Sequence, residues 1–191
     1  RRDMAHYRLW SMTVDVHGVV APEFEPVRDA FVDNFLRRGE AGAAVSVVHR
    51  GVSVVDLWAG HRDRAQTQPW ESDTLVTVFS ATKGMASTCL AIAHDRGWLR
   101  FDRPVAQYWP EFAANGKGDI TVSQLLSHQG GLSALDVKLD LELINDKPRL
   151  AGYLASQKPN WPPGTRHAYH AFTLGFYQSE LLRRVDPQGR G

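Results

Sequence analysis

Apolar positions change period along this chain. After Pro22-Glu23-Phe24-Glu25-Pro26, the residues Val27, Ala30, Phe31, Phe35 and Leu36 recur at three- and four-residue spacing, which predicts an amphipathic helix of about twelve residues ending at Gly39. The period then shortens. Ala43 to His49 and Val52 to Gly60 are β-branched runs on either side of Arg50-Gly51, the pattern of a two-residue hairpin. From Ser80 to about Arg96 the chain is rich in Ala, Met, Leu and Ile at helical spacing, with Gly97 as the stop. So apolar a helix is expected to be buried. Pro104, Pro110 and Gly116-Lys117-Gly118 interrupt the next stretch, the last of them reading as a turn. Thr121 or Ser123 caps a short helix through Leu126, and a last helix is predicted near Phe172 to Arg184.

A helix, a hairpin and then many helices predict an α+β fold with a segregated helical region. A two-stranded hairpin with Val on both faces is marginal alone and needs more strands or a covering layer. Nothing after residue 80 reads as a strand. The sheet is expected to be completed either by helices or by polypeptide beyond these residues.

Composition narrows the function classes. The chain has 191 residues, 43% hydrophobic, enough for a core of ordinary domain size. Its 22 basic and 21 acidic residues nearly cancel, with no basic stripe for nucleic acid. The one cysteine, Cys89, can form no intrachain disulfide or thiolate metal site, which fits a reducing, cytoplasmic setting. No apolar run is long enough for a membrane span, and Arg1 to His6 lacks a signal-peptide core. Residues 1–11 read as an N-terminal extension or a remnant of expression, with Met12 a candidate natural start. The domain is expected over 12–191.

Phe79-Ser80-Ala81-Thr82-Lys83-Gly84 carries the chemistry. A serine and a lysine three residues apart at a helix start lie on one face, one turn apart, so hydroxyl and amine can touch. A serine hydroxyl becomes a useful nucleophile when a base takes its proton. The competing interpretation makes Ser80 a helix cap and Lys83 a solvated first-turn residue. Against it, a first-turn lysine opposes the helix dipole. Other signals are weaker. His94-Asp95, His61-Arg62-Asp63 and the two imidazoles His167 and His170 lack three convergent metal ligands. Ser127-His128 looks like half a triad but reads as a turn, and no Gly-x-Ser-x-Gly elbow exists.

The segment Val78 to Gly84 resembles the active-site motif of the serine β-lactamase and penicillin-binding-protein superfamily, and is most similar to its class C-like branch with the family VIII carboxylesterases. Other similar stretches run in the family's order: Gly60 to Asp63, Asp102 to Val105, Tyr108 to Phe112, Ile120 to His128, Gly130-Gly131-Leu132 and Pro163 to His170. The resemblance implies a β-lactamase/transpeptidase-like fold, with a helical region packed on an antiparallel sheet of which only the N-terminal hairpin is present. It implies catalytic roles for Ser80, Lys83 and Tyr169. Tyr169 matches the family's Tyr-x-Asn motif, where a phenol beside an ammonium can carry the proton. Substrate contact is expected from the Ser80 N–H, His128, Gln129, His170 and Ala171. Where β-lactamases usually carry an asparagine, Ala171 offers no side-chain bond to a substrate amide, which tilts the reading toward esters.

The family's third motif, on a later strand that supplies the second oxyanion donor, has no match before Gly191. The expected activity is hydrolysis of small carboxylic esters with short acyl chains, with β-lactamase or D-amino-acid peptidase action on an amide, or a non-catalytic fragment needing a partner for the missing strands, as alternatives, and no cofactor or metal is called for. The remaining half of the domain, or a second copy of the chain, is the expected partner.

Overall fold

The computed structural model describes residues 13–191, which divide into one unit ending at Thr77 and a second spanning Val78–Gly191. The expected extension over 1–11 and the candidate start Met12 lie outside the described residues.

In the first unit, β1 (Val16–Val20) leads through a short 3-10 turn into α1 (Glu25–Arg38), then β2 (Gly42–His49) and β3 (Val52–Gly60). Pro26 sits in the first turn of α1, where its missing N–H costs nothing. Gly39 closes the helix in a left-handed conformation with φ 72°. The β2–β3 hairpin turns at Arg50 (φ 50°) and Gly51 (φ 80°), the paired positive values of a tight turn that matches strand twist. The sheet is antiparallel with order β1-β3-β2, Val16 pairing with Ala59 and Val45 with Leu57.

The sheet differs from expectation by one strand. β1 covers the free edge of β3, so the hairpin is not alone. Alternation on β3 sends Val55, Leu57 and Ala59 to one face, buried against Phe31 of α1, while Asp56 faces out. Phe31 and Phe35 stack edge to face with centroids 5.3 Å apart. Among the described residues no strand follows Gly60.

The second unit is helical: α2 (Thr82–Asp95), α3 (Val122–Leu126), α4 (Leu141–Asn145), α5 (Lys147–Ser156) and α6 (Thr173–Val185). Gly97 stops α2 as expected, with φ 72° and its N–H on the His94 carbonyl. Thr121, not Ser123, caps α3 in a reciprocal capping box with Gln124. The core gathers Leu90, Val105, Trp109, Phe112, Leu125, Leu154, Tyr177 and Leu181. Trp109, Phe112 and Tyr177 are its aromatic centre, with centroids 5.5 to 6.3 Å apart.

Lys117, within the stretch that read as a turn, is fully buried. Its Nζ donates to the carbonyls of Ala114, Ala155 and Gln157 at 2.6, 2.8 and 2.7 Å. Burial pushes the ammonium down to about 8, so it stays mainly protonated at neutral pH and matches three donors to three acceptors.

The burial expected of α2 is not found. Only Leu90 and Ala93 are buried along it, whereas Met85 and Ile92 are exposed. Its inner stripe packs on α6, where Gln178 Nε2 donates to Ser87 Oγ at 3.0 Å, and its other faces have no cover among the described residues. None of the described helices is long and apolar enough to cross a membrane.

Candidate active site

Ser80 lies in a 3-10 turn, Phe79–Ala81, that runs directly into α2. Phe79 holds φ 44°, a left-handed value uncommon outside glycine, and this bend precedes the serine. The serine is not a helix cap, because no side-chain cap bond forms at either the 3-10 turn or α2. Lys83, one turn on, instead donates from Nζ to Ser80 Oγ at 3.2 Å and to the Ala171 carbonyl at 2.7 Å. The first bond joins neighbours on a helix face; the second crosses 88 residues of sequence. It ties the Lys83 amine to the segment that leads into α6.

Tyr169 completes the cluster. Its phenol lies beside Ser80 and Lys83, whose hydrogen-bonding influence lowers its pKa in that order of importance, and Lys83 Nζ stands 5.0 Å from the ring centroid. Hydrogen bonds that favour the phenolate make the oxygen a better proton acceptor at neutral pH. The three residues given catalytic roles from the motifs thus converge on one oxygen, Ser80 Oγ.

Beside them is an open cavity of about 420 Å³. Phe79, Ala86, Phe172, Gly175 and Phe176 form its apolar walls, and Gln178 also lines it. Sequence reasoning passed over Phe172, Gly175 and Phe176. The available signal was their three- and four-residue spacing straight after Tyr169-His170-Ala171, which puts them on the same helix face.

The expected substrate contacts divide. Ala171 lines the cavity, although its part in the cluster is played by its carbonyl rather than its side chain. His170 stands apart from this cavity: its ring is fully buried, does not line it and has no protein partner at either nitrogen. Desolvation, with His128 nearby, pushes it down to about 4. Gln129 does not line the cavity; its Nε2 donates to Ser127 Oγ at 2.8 Å and its carbonyl accepts from Gly164 N–H at 2.9 Å. His128 also stands back from the cavity, with Nδ1 on the His170 N–H at 3.1 Å. Gly131 explains the adjoining glycine pair, since φ 72° and the Trp161 carbonyl 2.9 Å from an added Cβ leave no room for a side chain. Among the described residues no group of three His, Cys, Asp or Glu side chains could hold a metal ion.

A serine, a lysine one turn later and a tyrosine from the approach to another helix, meeting on a helical unit, form the arrangement of a Ser-x-x-Lys site. The chain belongs to the Beta-lactamase family, which it matches over residues 28–191. It is 42% identical over 170 residues to the esterase/beta-lactamase LipL of Mycobacterium tuberculosis, covering 89% of this chain and 39% of that protein. A crystal structure of a family VIII carboxylesterase superposes with TM-score 0.85 at 44% identity over 90% of this chain and 46% of its own. A penicillin-binding-protein homologue from Caulobacter crescentus gives TM-score 0.85 at 41% identity with the same coverage. The chain therefore spans less than half the length of these relatives.

Proposed function

We propose that the protein hydrolyses carboxylic esters with short acyl chains through an acyl-enzyme on Ser80. The observation that carries this reading is the Lys83 ammonium held between Ser80 Oγ and the Ala171 carbonyl, with the Tyr169 phenol beside them and its pKa lowered by both Ser80 and Lys83. Lys83 stabilises the Tyr169 oxygen as phenolate, and Ser80 Oγ attacks the ester carbonyl while its proton passes to that oxygen, leaving a neutral phenol. The Ser80 N–H faces the developing oxyanion. Collapse expels the alcohol, which takes the proton back from Tyr169, and water then releases the acid by the same route in reverse. No step calls for a cofactor. The apolar cavity beside the serine suits a short acyl chain, and Ala171 offers no side-chain partner to an amide.

Labelling with a fluorophosphonate, read by intact mass and peptide mapping, tests the nucleophile; modification is expected at Ser80 alone. If Ser80 stays unmodified in the complete protein, the mechanism fails. A second reading, hydrolysis of β-lactams or D-amino-acid peptides, is favoured by the similarity to LipL, an esterase/beta-lactamase, and to the Caulobacter penicillin-binding-protein homologue. Turnover of a p-nitrophenyl ester against a chromogenic cephalosporin separates the two, and faster cephalosporin turnover would reverse their order.

A reducing, cytoplasmic location fits the single exposed Cys89. Further polypeptide, in the same chain or a partner, would supply the second oxyanion donor, whose loss costs on the order of 100- to 1,000-fold in rate. Gel filtration with an ester assay checks this: a monomer of these 191 residues at full activity would contradict it.

A further inference from the structure

The backbone N–H groups on either side of Tyr169 both end on one residue. Ala168 N–H donates to the carbonyl oxygen of His128 at 3.2 Å, and His170 N–H donates to Nδ1 of the same histidine at 3.1 Å. The His128 ring also tilts against the Tyr169 ring, centroids 5.0 Å apart. His128 adopts a left-handed backbone, φ 64°, that brings its carbonyl and its ring to the same segment. Few residue types accept that conformation, and histidine is among the more tolerant. Strain at a residue that touches no substrate cavity calls for a role elsewhere.

We propose that His128 is the positioning residue for Tyr169, gripping the peptide planes before and after it and so aiming the phenol at Ser80 and Lys83. The proposal rests on the reading of Tyr169 as proton carrier. Fixing both flanking planes sets the direction of the Tyr169 Cα–Cβ bond, which backbone pairing on one side alone would leave free to rock. The tyrosine itself is 54% exposed, so packing around the ring does not hold it. Without the grip, the phenol would spend less time against Ser80.

The chemistry of the grip fixes the state of the imidazole. An Nδ1 that accepts a hydrogen bond carries no proton, so the ring is neutral with its proton on Nε2. The groups facing it agree: Lys83, His167, Tyr169 and His170 surround the ring and none is a carboxylate that would hold a proton on it. Desolvation first, then the Lys83 and His167 charges, hold its pKa below the usual imidazole value. Protonation would set two N–H donors against each other and open the grip.

Two variants test this. His128→Asn places an amide oxygen about where Nδ1 stands and tolerates the left-handed backbone, but does not titrate. His128→Gly keeps the backbone conformation and removes the acceptor. Each is compared with the parent by the rate of fluorophosphonate labelling at Ser80 across pH, and by the titration of the Tyr169 phenol in isotope-edited NMR, its signal assigned with Tyr169→Phe. His128→Gly is expected to label at least about ten-fold more slowly, with the phenol titrating closer to a free tyrosine. His128→Asn is expected to stay within about three-fold of the parent at mildly alkaline pH and to lose the parent's fall in rate at acid pH. A His128→Gly protein with parental labelling and an unmoved Tyr169 titration would overturn the proposal, as would His128→Asn behaving like His128→Gly. If Ser80 is labelled in no form, the hydrolase reading fails by itself, and the tyrosine titration alone decides the role of His128.

Discussion

Lys83 makes two bonds at this site, one to Ser80 Oγ and one to a main-chain carbonyl. Lys83→Ala removes the cation that makes both serine and tyrosine useful, and fluorophosphonate labelling of Ser80 should slow by roughly 100- to 10,000-fold. Tyr169→Phe deletes one oxygen and should cost about 100-fold in the same assay, with the fold unchanged because the ring is half exposed. His170 allows a pH prediction of a different kind. Its ring is buried neutral with a pKa near 4 in the fold, against 6.5 for the free imidazole. Between those values the unfolded chain binds a proton that the folded chain does not, so stability falls as pH drops from about 6.5 towards 4 and is flat above. Thermal melts across this range should show the loss, and His170→Leu should reduce it.

At the level of elements, α3 places the Ser127-His128 turn, and its capping box fixes where that helix begins. Thr121→Ala should cost about 1 kcal/mol in urea unfolding, because the Gln124 N–H loses its acceptor. How legible each element was depended on whether its signal is local. Helix caps and stops, Thr121, Gly39 and Gly97, were readable because a few adjacent residues decide them. β1 was not, since Gly18 and the doubled Val19-Val20 blur its alternation and its existence depends on β3, far along the chain. The burial expected of α2 went wrong for a related reason: apolar composition signals a preference to be covered, and the cover must come from elsewhere. Lys117 was invisible in sequence because two of its three acceptors, the Ala155 and Gln157 carbonyls, come from a segment about forty residues further on. Ser80, Lys83 and Tyr169 were legible through motif order, while the His128 grip spans 42 residues and leaves no local trace.

For the molecule as a whole, the lack of cover over apolar side chains becomes a measurable property. Phe79 and Phe172, both lining the cavity, are 82% and 78% exposed, and Met85 of α2 is 70% exposed. Large aromatic side chains left open beside a groove bind apolar partners or each other. The 191-residue chain should therefore enhance the fluorescence of an environment-sensitive dye and self-associate with rising concentration in sedimentation. Phe172→Ser should weaken both effects. A chain that neither binds the dye nor self-associates would show that these aromatics are covered in solution.

The Lys83–Ala171 bond has a consequence for how such a site can diversify. Its acceptor is a carbonyl, which every amino acid possesses, so no coding change at position 171 can delete it. The ammonium keeps its tether whatever side chain evolution tries there. Position 171 also borders the cavity, so its side chain can change the cavity wall while the lysine tether stays in place.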